Sequence, residues 1–265
     1  MFIKKAIAYA LAAYTVCVFI LVIYLSHQPT LLTAFTTPFS AAPIVATPDF
    51  GAIKNTAERK AAFFNFFTPF IDAENRALEA KRVPLLLIQK KLRSDQTLSK
   101  AELALIDKLA EDFDLPDDDD ATDIRRVNEL VQRVDIIPSA LVLAQAANES
   151  AWGRSRFAKQ GNNYFGQWCF KKGCGLVPNQ RSANAGHEVR KFNSPAESVS
   201  AYFYNINTHR AYAELRKMRD YLRVQNREPT GTLLAAGLEH YSERGEAYIE
   251  ELRAMIRTNR LEQSL

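Results

Sequence analysis

Residues that bind metals are scarce in this chain, whose 265 residues include three cysteines and four histidines. Cys17 lies within an apolar run, where cysteine behaves as a small hydrophobic residue. The other two, Cys169 and Cys174, have His187 as their one nearby histidine, whereas a structural zinc site uses four such ligands. The sequence therefore predicts neither a metal centre nor a cofactor.

Charge is absent from residues 6–25, a run of twenty residues that follows Lys4 and Lys5. Such a run is long enough to cross a bilayer as a helix, and the two lysines favour a cytoplasmic N-terminus. We therefore expect residues 1–26 to be an uncleaved signal anchor, with the rest of the chain outside the cytoplasm. A cleavable signal peptide is the alternative, although no clear small-residue cleavage site follows the run.

The remainder of the chain shows no internal repeat and divides by composition. Residues 27–56 are rich in Pro, Thr, Ala and Ser, which predicts an extended linker. Apolar residues spaced three and four apart predict a helical region over residues 57–134. Its acidic run at 117–120 lacks the spaced ligands and glycine of a calcium loop, so we interpret it as a solvated linker. Residues 135–265 form the last predicted domain, with more helices and one short strand near 187–192.

A single carboxylate, Glu149, stands where an apolar helix beginning near Pro138 is expected to end. Apolar surroundings and the negative end of the helix both disfavour the charged form, so we expect the pKa of Glu149 to be raised. A carboxyl group that stays protonated near neutral pH is what a glycosidase uses as general acid. A solvated glutamate at a helix end is the alternative interpretation.

The segment that follows combines glycines, amides and aromatic side chains over residues 161–168. Asn163, Tyr164, Phe165 and Trp168 are candidates to stack on sugars and to bond hydroxyl and acetamido groups. The alternative is a loop whose aromatic side chains fill the core. Just beyond it, Cys169 and Cys174 are expected to form a disulfide across a tight hairpin in an oxidising compartment, and two free thiols if the chain is not exported.

Four stretches together resemble the bacterial glucosaminidase family, which includes autolysins and the flagellar peptidoglycan hydrolase. They are Ala-Gln-Ala-Ala-Asn-Glu-Ser-Ala-Trp-Gly at 144–153, Asn-Tyr-Phe-Gly at 163–166, Lys-Phe-Asn-Ser at 191–194 and Arg-Ala-Tyr at 210–212. The resemblance covers about residues 58–260. It implies a mainly α (α+β), lysozyme-like fold with a small β-hairpin lobe, placed after the transmembrane helix and the helical region.

The activity that the resemblance implies is hydrolysis of β-1,4 bonds after N-acetylglucosamine in peptidoglycan. Glu149 matches the family's catalytic glutamate and Tyr212 an active-site tyrosine. Many members carry a second carboxylate in the β lobe, but residues 176–186 contain no acid, so Glu188 is the nearest candidate. The acetamido group of the substrate is an alternative to a second carboxylate. The resemblance also implies a bacterial inner membrane, crossed once by residues 6–25, with the C-terminal domain in the periplasm.

Two other functions remain compatible with the sequence: a peptidoglycan-binding scaffold without catalysis, and a lytic transglycosylase. From Pro138 onward the chain has 18 Lys or Arg and 12 Asp or Glu, a net charge of +6. A basic surface attracts the carboxylates of wall peptides. Nucleic acid is not an expected partner, because the basic residues alternate with acidic ones and the domain is expected outside the cytoplasm.

Overall fold

The computed structural model describes residues 46–118, 121–178 and 186–262. The predicted signal anchor, with its span over 6–25, lies outside the described residues, as does the predicted linker up to residue 45. Within the described ranges, no helix combines the length and the apolar character that crossing a membrane requires.

The described residues are mainly helical, which confirms the predicted fold class at that level. The α-helices, in chain order, are α1 (Thr56–Leu92), α2 (Lys100–Asp112), α3 (Asp123–Arg133), α4 (Ser139–Glu149), α5 (Arg156–Gly161), α6 (Pro195–Thr208), α7 (Ala213–Val224), α8 (Gly231–Leu234) and α9 (Glu246–Thr258). Short 3-10 helices occupy Arg210–Tyr212 and Ala235–Leu238. The strands are β1 (Trp168–Cys169), β2 (Gly175–Leu176) and β3 (Glu188–Arg190).

Helix α1 is one continuous helix of 37 residues, although Pro69 and Pro84 lie inside it. It begins where the Asn55 side chain accepts hydrogen bonds from the backbone N–H groups of Ala57 (2.8 Å) and Glu58 (3.2 Å). Helix α2 begins with a capping box: the Ser99 hydroxyl accepts from the Glu102 N–H (3.3 Å), and the Glu102 carboxylate accepts from the Ser99 N–H (2.8 Å). Both helix starts therefore follow from residues that satisfy otherwise unpaired N–H groups.

The aromatic stripe of α1 enters the main core, as its helical spacing predicts. Phe63 and Phe67 are fully buried, and the Phe67 ring lies 4.6 Å, between centroids, from the ring of Tyr164. Phe50, at the end of the predicted linker, packs 5.2 Å from Phe63. The predicted helical region and the predicted catalytic domain thus share one hydrophobic core.

The β lobe is a three-stranded antiparallel sheet in the order β1-β3-β2. Trp168 pairs with Val189 on one side of β3, and Leu176 pairs with Val189 on the other. The lobe therefore differs from the expected simple hairpin, because β3 lies between the two strands that the disulfide loop connects. A Cβ atom at Gly175 would lie 2.0 Å from the Val189 carbonyl oxygen, so only glycine allows this close pairing.

Candidate active site

Helix α4 carries Glu149 out of the middle of the core. Its residues 139–147 are all buried, and Glu149 is its last residue. The next residues turn sharply, since Ala151, Trp152 and Gly153 have positive φ angles of 50°, 60° and 73°. The Ser150 hydroxyl fixes this turn by donating to the Ala146 carbonyl (2.6 Å) and accepting from the Gly153 N–H (2.8 Å). The turn holds the Glu149 carboxyl at the boundary between the core and solvent.

The pKa of the Glu149 carboxyl is raised above its ordinary value of 4.5, chiefly because burial disfavours the charged form. The Glu251 carboxylate raises this pKa further. A hydrogen bond from Tyr248, the charge of Arg244 and a hydrogen bond from Asn148 lower it, without outweighing burial. Arg244 and Glu251 are themselves an ion pair at 2.7 Å, which moderates the field of each at Glu149.

Four tyrosines surround Glu149, and each interacts electrostatically with its carboxyl: Tyr202, Tyr212, Tyr241 and Tyr248. Burial raises the pKa of all four hydroxyls, so they stay neutral donors at physiological pH. The Tyr241 and Tyr248 rings stack with centroids 5.6 Å apart and an interplanar angle of 3°. Tyr212 is the one that the family resemblance indicates; the other three come from α6 and from the region around α9, and no local spacing links them to Glu149.

A hydrogen-bonded chain of buried side chains runs behind Glu149. The Tyr202 hydroxyl donates to Gln145 Oε1, and Gln145 Nε2 donates to the Tyr248 hydroxyl at 3.0 Å. The Tyr248 hydroxyl also acts on the Glu149 carboxyl, whose pKa it lowers. Gln145 precedes Glu149 by four residues on α4, and this spacing places both on one helix face. This spacing is the signal in the sequence by which Gln145 could be found.

The loop between α5 and β1 lies directly against Glu149. A Cβ atom on Gly166 would lie 3.5 Å from Glu149 Oε2, and the Tyr241 hydroxyl donates to the Phe165 carbonyl at 2.8 Å. Asn163 holds the loop: its Nδ2 donates to the Gln167 (2.8 Å) and Arg190 (2.9 Å) carbonyls. The loop predicted to bind substrate is therefore positioned beside the carboxyl.

Among the predicted substrate-binding side chains, only Trp168 is exposed. Tyr164, Phe165 and Asn163 are buried, and burial raises the pKa of Tyr164 to about 12. Phe165 stacks on Tyr202 at 4.2 Å between centroids. Tyr164 and Phe165 therefore fill the core, which is the alternative interpretation given above for this loop. Trp168 is 56% exposed and stacks on His187 with centroids 4.0 Å apart. The structure thus leaves one aromatic surface of the predicted set open to a ligand.

The predicted disulfide between Cys169 and Cys174 is confirmed, with Cα atoms 6.2 Å apart. The Glu188 carboxylate lies beside these sulfurs and accepts hydrogen bonds from the backbone N–H groups of Gly173 (3.0 Å) and Gly175 (2.8 Å). Both of its oxygens therefore brace the β1–β2 connection. A catalytic part for Glu188 remains a prediction, as do the catalytic parts of Glu149 and Tyr212.

Residues 125–261 match the glucosaminidase family, described as mannosyl-glycoprotein endo-beta-N-acetylglucosaminidase. The chain belongs to this family. Among individual proteins, it is similar to Protein bax of Escherichia coli strain K12. The two are 36% identical over 212 residues, which cover 80% of this chain and 74% of the relative. No solved structure matches the chain significantly.

Proposed function

We propose that the chain hydrolyses β-1,4 glycosidic bonds after N-acetylglucosamine in bacterial peptidoglycan, with Glu149 as the general acid. The supporting observation is the Glu149 carboxyl, which is half-buried at the end of an apolar helix with a raised pKa. A carboxyl of this kind keeps its proton until a glycosidic oxygen accepts it.

In the proposed reaction the Glu149 carboxyl gives its proton to the glycosidic oxygen while the bond to the anomeric carbon breaks. The acetamido oxygen of the N-acetylglucosamine residue attacks the anomeric carbon of that residue and forms a cyclic intermediate. Water then opens the intermediate, and the Glu149 carboxylate takes up the proton that the water releases. We favour this substrate-assisted route because the Glu188 carboxylate is engaged by two backbone N–H groups of the β lobe. Tyr212 is the proposed hydrogen-bond partner of the acetamido group.

We propose that Trp168 provides a stacking platform for a sugar ring. Its indole is held parallel to the His187 ring, with an angle of 5° between the planes, so it presents a pre-oriented aromatic face. The basic balance from Pro138 onward favours encounter with the carboxylates of wall peptides. The disulfide supports our proposal that this part of the chain works in the periplasm, since disulfides persist in oxidising compartments.

The test is muropeptide release from purified peptidoglycan by the wild-type chain and by Glu149→Gln. We expect the variant to lose activity at least about a thousandfold, because its amide has no proton to give, while it remains folded. Glu239→Gln is the matched control, since Glu239 is an exposed glutamate, and it should keep wild-type activity. Near-normal turnover by Glu149→Gln would remove Glu149 from the catalytic role.

Mass spectrometry of the released fragments separates the proposed activity from its alternatives. Reducing N-acetylglucosamine ends support the hydrolase. Anhydro-muramic ends would instead identify a lytic transglycosylase, which also needs a single acid. Wall binding without any released fragments would identify a scaffold protein.

A further inference from the structure

The hydrogen-bonded chain behind Glu149 has a fixed direction. Tyr202 donates to Gln145 Oε1, so the Gln145 amide is oriented with its Nε2 toward Tyr248. Because the Tyr248 oxygen accepts from Gln145, its own hydrogen is left to turn toward Glu149, which lies four residues from Gln145 on the same face of α4. The direction of every bond therefore follows from which end of the Gln145 amide faces Tyr248.

The opposite orientation of this amide has a different consequence for Glu149. With Gln145 Oε1 facing Tyr248, the hydroxyl would donate to Gln145 and would offer only its lone pairs to Glu149. A carboxylate cannot use a lone pair, whereas it gains from a donated hydrogen. The observed orientation therefore favours the charged form of Glu149.

Packing holds each member of the chain in this arrangement. Tyr202 and Gln145 are fully buried, and Tyr248 is nearly so. The Tyr202 ring stacks on Phe165, and the Tyr248 ring stacks on Tyr241. With both tyrosine rings fixed, the hydroxyl positions are set before substrate arrives, which is the condition for electrostatic preorganisation.

We propose that Gln145 is a positioning residue, which holds the Tyr248 hydroxyl as a donor to Glu149 and so stabilises the carboxylate that forms when the acid gives up its proton. This inference rests on the proposed role of Glu149 as general acid. Burial keeps the acid protonated before reaction, and the oriented hydroxyl strengthens that acid by favouring its conjugate base. Burial alone would hold the proton but would also make its transfer difficult.

Several other groups face Glu149 and are left unchanged by the test. Tyr212 and Tyr241 interact with it from the 3-10 helix Arg210–Tyr212 and from the segment before α9, and Asn148 does so from its own helix. Arg244, just before α9, and Glu251, on α9, act on it with opposing signs. Variants confined to the chain Tyr202–Gln145–Tyr248 therefore isolate its contribution.

The experiment compares Tyr248→Phe, Gln145→Met and the double variant of the full chain in two measurements. The first is the pH profile of kcat and kcat/KM for muropeptide release. The second is a carbon-13 titration of the Glu149 carboxyl in the resting protein, with its resonance identified by its loss in Glu149→Gln.

In Tyr248→Phe we expect kcat to fall about tenfold and the Glu149 midpoint to move to higher pH, because the carboxylate loses a donor. Gln145→Met should also lower kcat and raise the Glu149 midpoint, each by a smaller amount. In the double variant, Gln145→Met should add nothing to the effect of Tyr248→Phe, since Gln145 acts only through that hydroxyl.

Tyr221→Phe is the matched control, because this tyrosine is 62% exposed, and it should change neither measurement. Should Gln145→Met fail to fold, Tyr202→Phe removes only the hydroxyl that orients the amide and should shift the midpoint upward as well. An unmoved midpoint in Tyr248→Phe, or full additivity in the double variant, would overturn the proposal. If hydrolysis survives Glu149→Gln, the proposed role of Glu149 as general acid fails, while the carbon-13 titration still reports on the hydrogen-bonded network behind it.

Discussion

Glu149 receives its electrostatic environment from distant parts of the sequence. Tyr202 lies on α6, Tyr248 and Glu251 lie on α9, and Gly166 lies in the loop before β1. Tyr248 lowers the pKa of the carboxyl and Glu251 raises it, while Tyr202 and Gly166 line its surroundings. The pKa of one residue is therefore a property of the assembled core.

This raised pKa predicts a pH dependence of stability. The folded protein binds the Glu149 proton more tightly than the unfolded chain, whose ordinary pKa is 4.5. The resulting stabilisation is present below pH 4.5 and is lost as pH rises through the folded-state pKa. Glu149→Gln remains neutral at every pH, so we expect its melting temperature to match that of the wild type near pH 4 and to exceed it at pH 8.

Thermal melts across this range, followed by circular dichroism, measure the difference between the two proteins. Glu239→Gln serves as the exposed control and should follow the wild type at both pH values. A Glu149→Gln variant that is less stable than the wild type at pH 8 would show that the charged carboxyl makes stabilising contacts.

The sequence predicts Glu149 as the candidate acid but does not predict the tyrosines that surround it. Glu149 is recognisable because it is the one charged residue in a long apolar stretch, and Gln145 shares its helix face. Tyr241 and Tyr248 come from about a hundred residues further along the chain, and no local spacing links them to Glu149. The burial of Tyr164 and Phe165 is likewise not visible in the local sequence, because the rings on which they pack belong to α1 and α6.

The β lobe is the element with the least regular structure among the described residues, and its strands are two or three residues long. Strands of this length contribute few ladder hydrogen bonds. The disulfide and the Glu188 carboxylate supply the additional connections within the lobe.

Glu188→Gln tests what this carboxylate contributes. We expect amide exchange in β2 and β3 to accelerate at least about tenfold, because two charge-assisted hydrogen bonds are weakened. Hydrolysis should fall by no more than about tenfold, since the proposed reaction uses the acetamido group of the substrate. Exchange in α4 provides the internal control and should be unchanged.

The opposite result would give Glu188 a catalytic role instead of a structural one. A loss of hydrolysis as complete as that of Glu149→Gln, with exchange in the lobe unchanged, would make Glu188 the second catalytic carboxylate. The sequence places Glu188 in a strand, as the structure does, but alternation alone does not determine which side of such a short strand faces the cleft.

The elements themselves were largely predictable. Caps and apolar spacing locate α1, α2 and α6, because these signals act within a few residues. The order of the three strands was not predictable, since it depends on β3 entering between β1 and β2 from a later part of the chain.

Within the described residues, the buried carboxylate of Asp135 joins elements that are far apart in the sequence. It pairs with Arg223 at 2.6 Å, with Arg82 at 3.4 Å and with Arg219 at 3.6 Å. These arginines belong to α1 and α7, so one side chain joins the N-terminal helix to the C-terminal half. Arg219 also donates to the Gln132 carbonyl at 2.8 Å, and burial lowers its pKa to about 10.

Asp135→Asn should therefore destabilise the protein by about 3–5 kcal/mol, because it leaves buried arginines without their counter-charge. Urea unfolding measures this change, and the shared core predicts one transition for α1 and α4 alike. Asp107→Asn is the matched control: it breaks an exposed pair with Arg126 and should cost less than about 1 kcal/mol. Two separate transitions in the wild type would instead show that the predicted helical region folds independently.

The contact between Phe50 and Gly153 ties the segment before α1 to the turn after α4. A Cβ atom on Gly153 would lie 2.3 Å from the Phe50 ring, so the ring occupies the space directly behind the turn that ends α4. The same ring packs on Phe63, so one side chain ahead of α1 is wedged between that helix and the turn that carries the Glu149 carboxyl. Any side chain larger than hydrogen at position 153 would push Phe50 out of this place and loosen both contacts at once.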